Sequence, residues 1–272
     1  MADTAGLAAF GCDDLAHAKT RMSVQEAVLR AHALVRKPRA FELIDLVSAG
    51  NRTLSKDLHA PAPMPFFSNS AMDGFAVRTA CFTGKGPWTL PVLGPLAAGP
   101  HTCLTVPDTE VAVRIFTGAP VPEGFDAVVM QEDVGADADH AVFKRKPKVG
   151  QNVRQQGEDI RRGALLVSAG TRLGSRHIGL LAANGYSAVN AYRRPKVGVF
   201  STGDEIVEAG QSLSSGRIFD ANRPMLIRLA QQAGCDVTDL GIIGDTLDET
   251  TSCFTSVAGK FDLIVSSGAV SV

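Results

Sequence analysis

The spacing of apolar positions divides the chain into three textures. From Ser23 onward Val24, Val28, Ala31 and Val35 recur at helical intervals, and Ser23-Val24-Gln25-Glu26 has the form of a capping box, so a helix is predicted from Ser23 to about Arg36. Residues 1–22 lack such a period and are expected to be a flexible leader. Between Leu46 and Lys148 the pattern shortens to β-branched runs, Val111–Phe116, Ala127–Met130 and Ala141–Lys144, broken by Gly and Pro. That texture predicts a small β-rich unit with many turns. Ser175–Ala183 returns to helical spacing, with Ser175 as N-cap and Asn184-Gly185 as the stop.

The third texture begins after Pro195. Lys196–Ser201 is a short apolar run of the kind that forms a buried strand, and Asn222 is placed to cap a helix that stops at Gly234. Val237–Ile243 predicts a second strand, Thr246–Ala258 a second helix ending at Gly259, and Asp262–Ser266 a third strand. Strands alternating with helices predict a parallel sheet. The fold class expected is α/β multidomain. A mixed α/β domain is discontinuous, built from 23–45 and 149–194, with residues 46–148 as a β-rich insertion. Residues 195–272 form a partial, Rossmann-like three-layer α/β domain.

Composition narrows the function classes. Lys+Arg 27 against Asp+Glu 28 gives a formal charge of −1, so no global field draws nucleic acid or an anionic membrane surface. Neither is expected as a partner. The five cysteines, Cys12, Cys81, Cys103, Cys235 and Cys253, form no C-x-x-C pair, which argues for reduced thiols over a disulfide framework or a zinc site. No apolar run approaches the roughly 18 residues of a membrane span, and the acidic N-terminal region lacks the form of a secretory signal. A cytoplasmic protein is expected.

In an open parallel sheet ligands bind beyond the carboxyl ends of the strands, so the residues just after each strand carry the most information. Here they are Ser201-Thr202-Gly203-Asp204-Glu205, Gly244-Asp245-Thr246 and Ser266-Ser267-Gly268-Ala269. In one loop these residue types would be ordinary turn chemistry. Their recurrence at three strand ends predicts a single polar rim, in which glycines admit a ligand close to backbone amides and hydroxyls or carboxylates hold oxyanions or a hard cation. Neither G-x-G-x-x-G nor G-x-x-x-x-G-K-[ST] occurs at the first loop, so a dinucleotide fingerprint or a P-loop is not supported. Two other segments concentrate polar groups, Ser68–Val77 around Asp73-Gly74, and Gly157–Gly163 with two carboxylates and two guanidiniums between glycines.

These segments carry a resemblance. Asn69–Val77 (NSAMDGFAV), Thr117–Pro120 (TGAP), Ala127–Glu132 (AVVMQE), Val153–Ile160 (VRQQGEDI), Leu180–Gly185 (LLAANG), Ser201–Ile206 (STGDEI), Asp220–Asn222 (DAN) and Ser267–Val272 (SGAVSV) stand in one order from about Pro65 to the last residue. In this the sequence resembles the molybdopterin molybdenumtransferase family, MoeA and the gephyrin E domain. The resemblance implies a transferase of molybdenum cofactor biosynthesis that inserts molybdate into adenylylated molybdopterin and releases AMP with the help of Mg2+. Carried over by motif, Asp73, Asp159, Glu205 and Asp245 are the acidic site residues, with Glu205 and Asp245 assigned to the metal. Ser201, Thr202, Gly203, Ser267 and Gly268 would hold the substrate's phosphate, and Arg154 would supply positive charge.

The resemblance further implies a homodimer and the molybdopterin adenylyltransferase as a partner. Two departures stand out: Gln155 and Gln156 occupy positions where the family often has arginines, and Ala269 replaces a common Gly. The family pattern also runs on past the equivalent of Val272 into an acidic residue and a C-terminal β domain, so the chain is read as C-terminally truncated. The alternative function is a molybdopterin-binding, scaffold or dimerisation module without turnover.

Overall fold

The computed structural model describes residues 22–35, 40–100, 107–137 and 139–268. The chain divides into two units, residues 1–40 and 41–272. In the first, helix α1 (Val24–Leu34) begins where the sequence predicts: the Ser23 hydroxyl accepts from the Glu26 N–H at 3.2 Å. The reciprocal half of the capping box does not form, because the Glu26 carboxylate pairs with Arg30 one turn on at 2.8 Å. The expected leader up to residue 21, Cys12, Cys103 and Ala269–Val272 lie outside the described residues.

The second unit opens with β1 (Phe41–Asp45), which pairs antiparallel with β12 (Ala188–Tyr192). Strand β2 (Leu58–His59) pairs with β11 (Leu165–Val167), and helix α2 (Ser175–Ala183) lies between β11 and β12 in the chain. Leu46, Ala49, Leu54 and Leu58 share one core with Val167, Leu173, Leu181 and Val189. Residues 46–60, assigned by texture to the β-rich insertion, therefore pack with the chain around 165–191. Two-residue strands have too few positions to show a period, and their partners lie more than a hundred residues away. The N-terminus of α2 also differs from the expectation. Ser175 is already helical, and the His177 Nδ1 accepts from the Gly174 N–H at 2.9 Å.

The β-rich sheet has six strands: β4 (Gly74–Val77), β5 (Trp88–Leu96), β6 (Ala112–Ile115), β7 (Ala127–Met130), β8 (Val134–Ala136) and β9 (His140–Phe143), in the order β7-β4-β6-β5-β9-β8. All neighbours are antiparallel except β5 and β6. Successive side chains point to opposite faces, and both faces are covered. Phe75, Val77, Leu90, Ala127, Val129 and Phe143 belong to one core, while Ala76, Val113, Ile115 and Val128 belong to another. This two-sided burial explains why these strands read as apolar runs with no clean alternation. Gly74 is required where it stands, because a Cβ there would lie 2.0 Å from the Val129 carbonyl oxygen of β7.

After Pro195 the predicted parallel sheet is present. Strand β13 (Lys196–Thr202) is central, with β16 (Asp236–Ile243) and β17 (Leu263–Ser267) parallel on either side. Helix α3 (Asn222–Gln232) crosses from β13 to β16, and α4 (Leu247–Val257) from β16 to β17. Between β13 and α3 the chain makes a side loop closed by a parallel pair, β14 (Ile206–Val207) and β15 (Ile218–Phe219). The second of these helices, α4, is present where expected, with Thr246 as its N-cap, the hydroxyl accepting from the Glu249 N–H. At α3 the capping carboxylate is that of Asp220, which accepts from the Arg223 N–H at 3.1 Å, whereas Asn222 is the first helical residue.

Candidate functional site

The site residues expected from the sequence fall into two clusters, and among the described residues no hydrogen bond or ion pair joins one to the other. The first is assembled from three distant segments. Strand β3 (Asn69–Ser70) pairs antiparallel with β10 (Val153–Arg154), setting Arg154 opposite Asn69 and Val153 opposite Ser70. The Thr117–Pro120 turn closes on the same strand, since the Gly118 N–H donates to the Ser70 carbonyl at 2.8 Å and the Ser70 N–H to the Ala119 carbonyl at 2.9 Å. Asp73 then lies between β3 and β4, where its Oδ1 accepts from both the N–H and the hydroxyl of Thr117, each at 2.7 Å.

Those hydrogen bonds hold the exposed Asp73 carboxyl below the ordinary carboxylate range, the backbone N–H of Thr117 contributing most, with help from the nearby Arg114 charge. Thr117→Val keeps that N–H and removes the hydroxyl. The Asp73 titration, followed by carboxyl-carbon NMR, should therefore move upward in the variant while staying below a free Asp. An unchanged midpoint would show that the hydroxyl contributes nothing. Arg114 was not legible as part of this cluster, because a single Arg in a β-run reads as solvent-facing. Its guanidinium in fact lies over the Phe75 ring at 4.9 Å and bonds the Gln131 side chain.

Arg154 is engaged by the protein itself. Its Nε donates to Glu158 at 2.8 Å and its Nη2 to Asp159 at 2.5 Å, while the Gln155 N–H also donates to Glu158. Two carboxylates offset the Arg154 charge, and the hydrogen bonds to Glu158 and Asp159 raise the guanidinium pKa further. Beside it lies a cleft of about 440 Å3 lined by Glu158, Asp159, Arg161, Ile160, Leu166 and Leu180 among others.

The second cluster is the rim at the strand ends. Ser201 stands in register with Ser267 and Thr202 with Ile243, so the three ends are level. Ser201 Oγ and Thr202 Oγ1 are both buried; the Ser201 hydroxyl lies near the Asp220 carboxylate and helps hold its charge, whereas Thr202 Oγ1 has no hydrogen-bond partner among the described residues. An unpaired buried hydroxyl costs on the order of 1–3 kcal/mol, and a ligand oxygen at this position would relieve it. Gly268, at φ +103°, lies against Thr202, and a Cβ there would come within 2.6 Å of Thr202 Oγ1. The Glu205 carboxylate folds back over Gly203. Asp204 and Asp245 face each other across the rim, each carboxylate accepting from the other's backbone N–H, at 3.4 and 3.3 Å. Asp204 belongs to the first strand-end loop read from the sequence but carried no role there, and Glu249 is not legible because it occupies an ordinary position in the first turn of a helix. Both crowd the Gly244 Cα, beside Asp245.

Among the described residues no group of three or more His, Cys, Asp and Glu side chains converges as a metal cage. Mg2+ needs less, since it keeps several waters and is bound through one or two carboxylates together with substrate phosphates. The facing carboxylates at the rim suit that donor set. Cys81, Cys235 and Cys253 carry free thiols. No helix among the described residues is long and apolar enough to cross a membrane.

A mixed α/β chain with a β-rich sheet and a level rim of glycines and hydroxyls matches two families in succession. Residues 22–185 match the one described as "MoeA N-terminal region (domain I and II)", and residues 198–272 the one described as "Probable molybdopterin binding domain". The chain belongs to the MoeA family. A molybdopterin molybdenumtransferase of Haemophilus influenzae is 42% identical over 236 residues, covering 86% of this chain and 58% of the relative. Its counterpart in Synechococcus elongatus is 37% identical, covering 86% and 60%. A crystal structure of the molybdopterin biosynthesis MoeA protein from Pyrococcus horikosii superposes with a TM-score of 0.82 at 30% identity, covering 92% of this chain and 64% of that one. The chain thus spans about 60% of the length of the curated relatives it matches.

Proposed function

We propose that this chain carries the transferase chemistry of molybdenum cofactor biosynthesis: it inserts molybdate at the dithiolene sulfurs of adenylylated molybdopterin and releases AMP, assisted by Mg2+. The observation that carries the proposal is the buried, unpartnered Thr202 hydroxyl, with Gly268 close against it, at level strand ends. The names of the relatives support it. In this proposal Ser201, Thr202, Gly203, Ser267 and Gly268 receive the phosphate through hydroxyls and amides.

Glu205 and Asp245, with Asp204 beside them, would hold the Mg2+, which when bound offsets the charge that phosphates, molybdate and protein carboxylates would otherwise pile up together. Such an offset is needed, because Arg154 is already neutralised by Glu158 and Asp159. Asp73 and Asp159 orient the substrate through hydrogen bonds accepted by carboxylates whose own positions are fixed, Asp73 by Thr117 and Asp159 by Arg154. We infer likewise a cytoplasmic homodimer that takes its substrate from the molybdopterin adenylyltransferase.

The experiment supplies adenylylated molybdopterin to this chain with Mg2+, adds molybdate, and follows AMP by chromatography. Molybdate-dependent AMP release is expected. Tight binding of the substrate with no AMP would instead favour a molybdopterin-binding module without turnover.

A further inference from the structure

The loop between β13 and α3 carries Glu205, and most of its residues from Asp204 to Phe219 are exposed. It is tied down at few points. The Ile218 N–H donates to the Glu205 carbonyl at 2.9 Å, the Asp220 N–H to the Val207 carbonyl at 2.9 Å, and the Gly203 N–H to the Ile243 carbonyl at 3.2 Å. Strands β14 and β15 contribute two residues each. A two-residue ladder open to solvent cannot by itself hold a carboxylate to catalytic tolerance.

Directly beneath this ladder lies Arg223, only 4% exposed. Its Nε donates to Asp220 Oδ2 at 2.9 Å, its Nη2 to Glu208 and its Nη1 to Asp239. Three elements meet on one guanidinium: Glu208 is on the loop, three residues after Glu205; Asp220 caps α3; Asp239 is on β16 of the sheet, in register with Val199 of the central strand. A planar guanidinium can serve three carboxylates at fixed angles, which a lysine cannot.

We propose that Arg223 is a positioning residue for the strand-end site, holding the loop that bears Glu205 to the sheet through Glu208. The inference rests on the functional assignment of Glu205 made above. Asp220 and Asp239 fix the guanidinium against the sheet, and Glu208 is the remaining ligand through which that rigidity reaches the loop. Arg223 itself has no role in bond making; it acts through the loop.

The test uses Glu208→Gln, which leaves the buried Arg223–Asp220 pair intact and so preserves the fold. Asp239→Asn is the comparison, because it takes an equal charge from the same guanidinium without touching the loop. Two quantities are read on each: amide hydrogen exchange across residues 204–219, and kcat and KM for molybdate-dependent AMP release. In Glu208→Gln exchange should quicken in the loop, and kcat should fall on the order of 10-fold with KM changed less than about 2-fold, as expected when an outer partner of a site residue is lost.

Asp239→Asn should keep the loop protected and lose less turnover than Glu208→Gln. Wild-type exchange in Glu208→Gln, or equal effects of the two substitutions, would overturn the proposal. So would a rise in KM with kcat unchanged, since that would make the network a binding element. Absence of AMP release by the wild type would overturn the functional assignment, whereas a failed tether would leave wild-type turnover intact and show itself in the exchange pattern.

Discussion

Glu205→Gln is expected to lower molybdate-dependent AMP release by a factor of about 100 while substrate binding falls only modestly. The difference follows from what each part of the rim contributes. In the proposed site Ser201, Thr202 and Gly268 would receive the phosphate and are untouched by the substitution, so the ground-state complex should keep its main contacts. A carboxylate that holds a bridging cation is needed where charge builds up during reaction, and losing a ligand or its support typically costs 10- to 100-fold or more. Asp245→Asn should behave alike. Titration of the substrate into each variant, followed by AMP formation after molybdate and Mg2+ are added, separates the two quantities. Full turnover by Glu205→Gln would remove it from the site, and equal losses of binding and turnover would make its role ground-state binding.

Arg223→Leu should destabilise the protein by about 3–5 kcal/mol at pH 7, the usual cost of leaving one member of a buried ion pair without its partner. The stranded group is Asp220, whose side chain is 2% exposed. In the wild type burial works against its charge, but hydrogen bonds from the Arg223 side chain and backbone, joined by the Ser201 hydroxyl, outweigh that and hold its pKa below the ordinary value. A folded pKa below the unfolded one means the pair's stabilisation is complete above about pH 4. It is lost as pH falls through the depressed value. In Arg223→Leu the sign reverses, because burial without the guanidinium raises the Asp220 pKa and the penalty grows as pH rises. Urea unfolding at pH 7, at pH 4 and at a pH below the depressed Asp220 value checks both statements, and a variant within 1 kcal/mol of wild type at pH 7 would contradict them. Asp220→Asn combined with Arg223→Leu should recover part of the loss.

How much of this was legible in the sequence depended on how local the cause was. The parallel sheet could be read because each strand is an apolar run and each helix has its cap or stop close by, Thr246 before α4 and Gly234 after α3. From sequence Asn222 reads as the cap of α3, because Asn, like Asp, suits that position; only the structure distinguishes them, by aiming the Asp220 carboxylate at the Arg223 N–H. The parallel pairing of β5 with β6 inside an antiparallel sheet leaves no trace in periodicity, which reports the faces of a strand and not its neighbours. At the site, the strand-end loops were found because ligand chemistry there is concentrated in Gly, Ser and Asp. Arg223 was not, because an arginine one residue into a helix has the pattern of a solvent-facing residue, and its burial depends on Glu208 and Asp239, brought to it by the fold.

The pairing of β3 with β10 also bears on how the protein is made. Ser70 waits for Val153, 83 residues further along the chain. At ribosomal rates of about 5–20 residues per second that interval lasts roughly 4 to 17 s. Throughout it the nascent Asp73 segment has a strand edge with no partner and can be claimed by another chain. The strands after Pro195 wait less, 40 residues from Lys196 to Asp236 and 66 from Val197 to Leu263. Slower translation therefore prolongs the exposure of the first cluster most, so synonymous changes that slow decoding between residues 70 and 153 should reduce the soluble yield more than similar changes after residue 196.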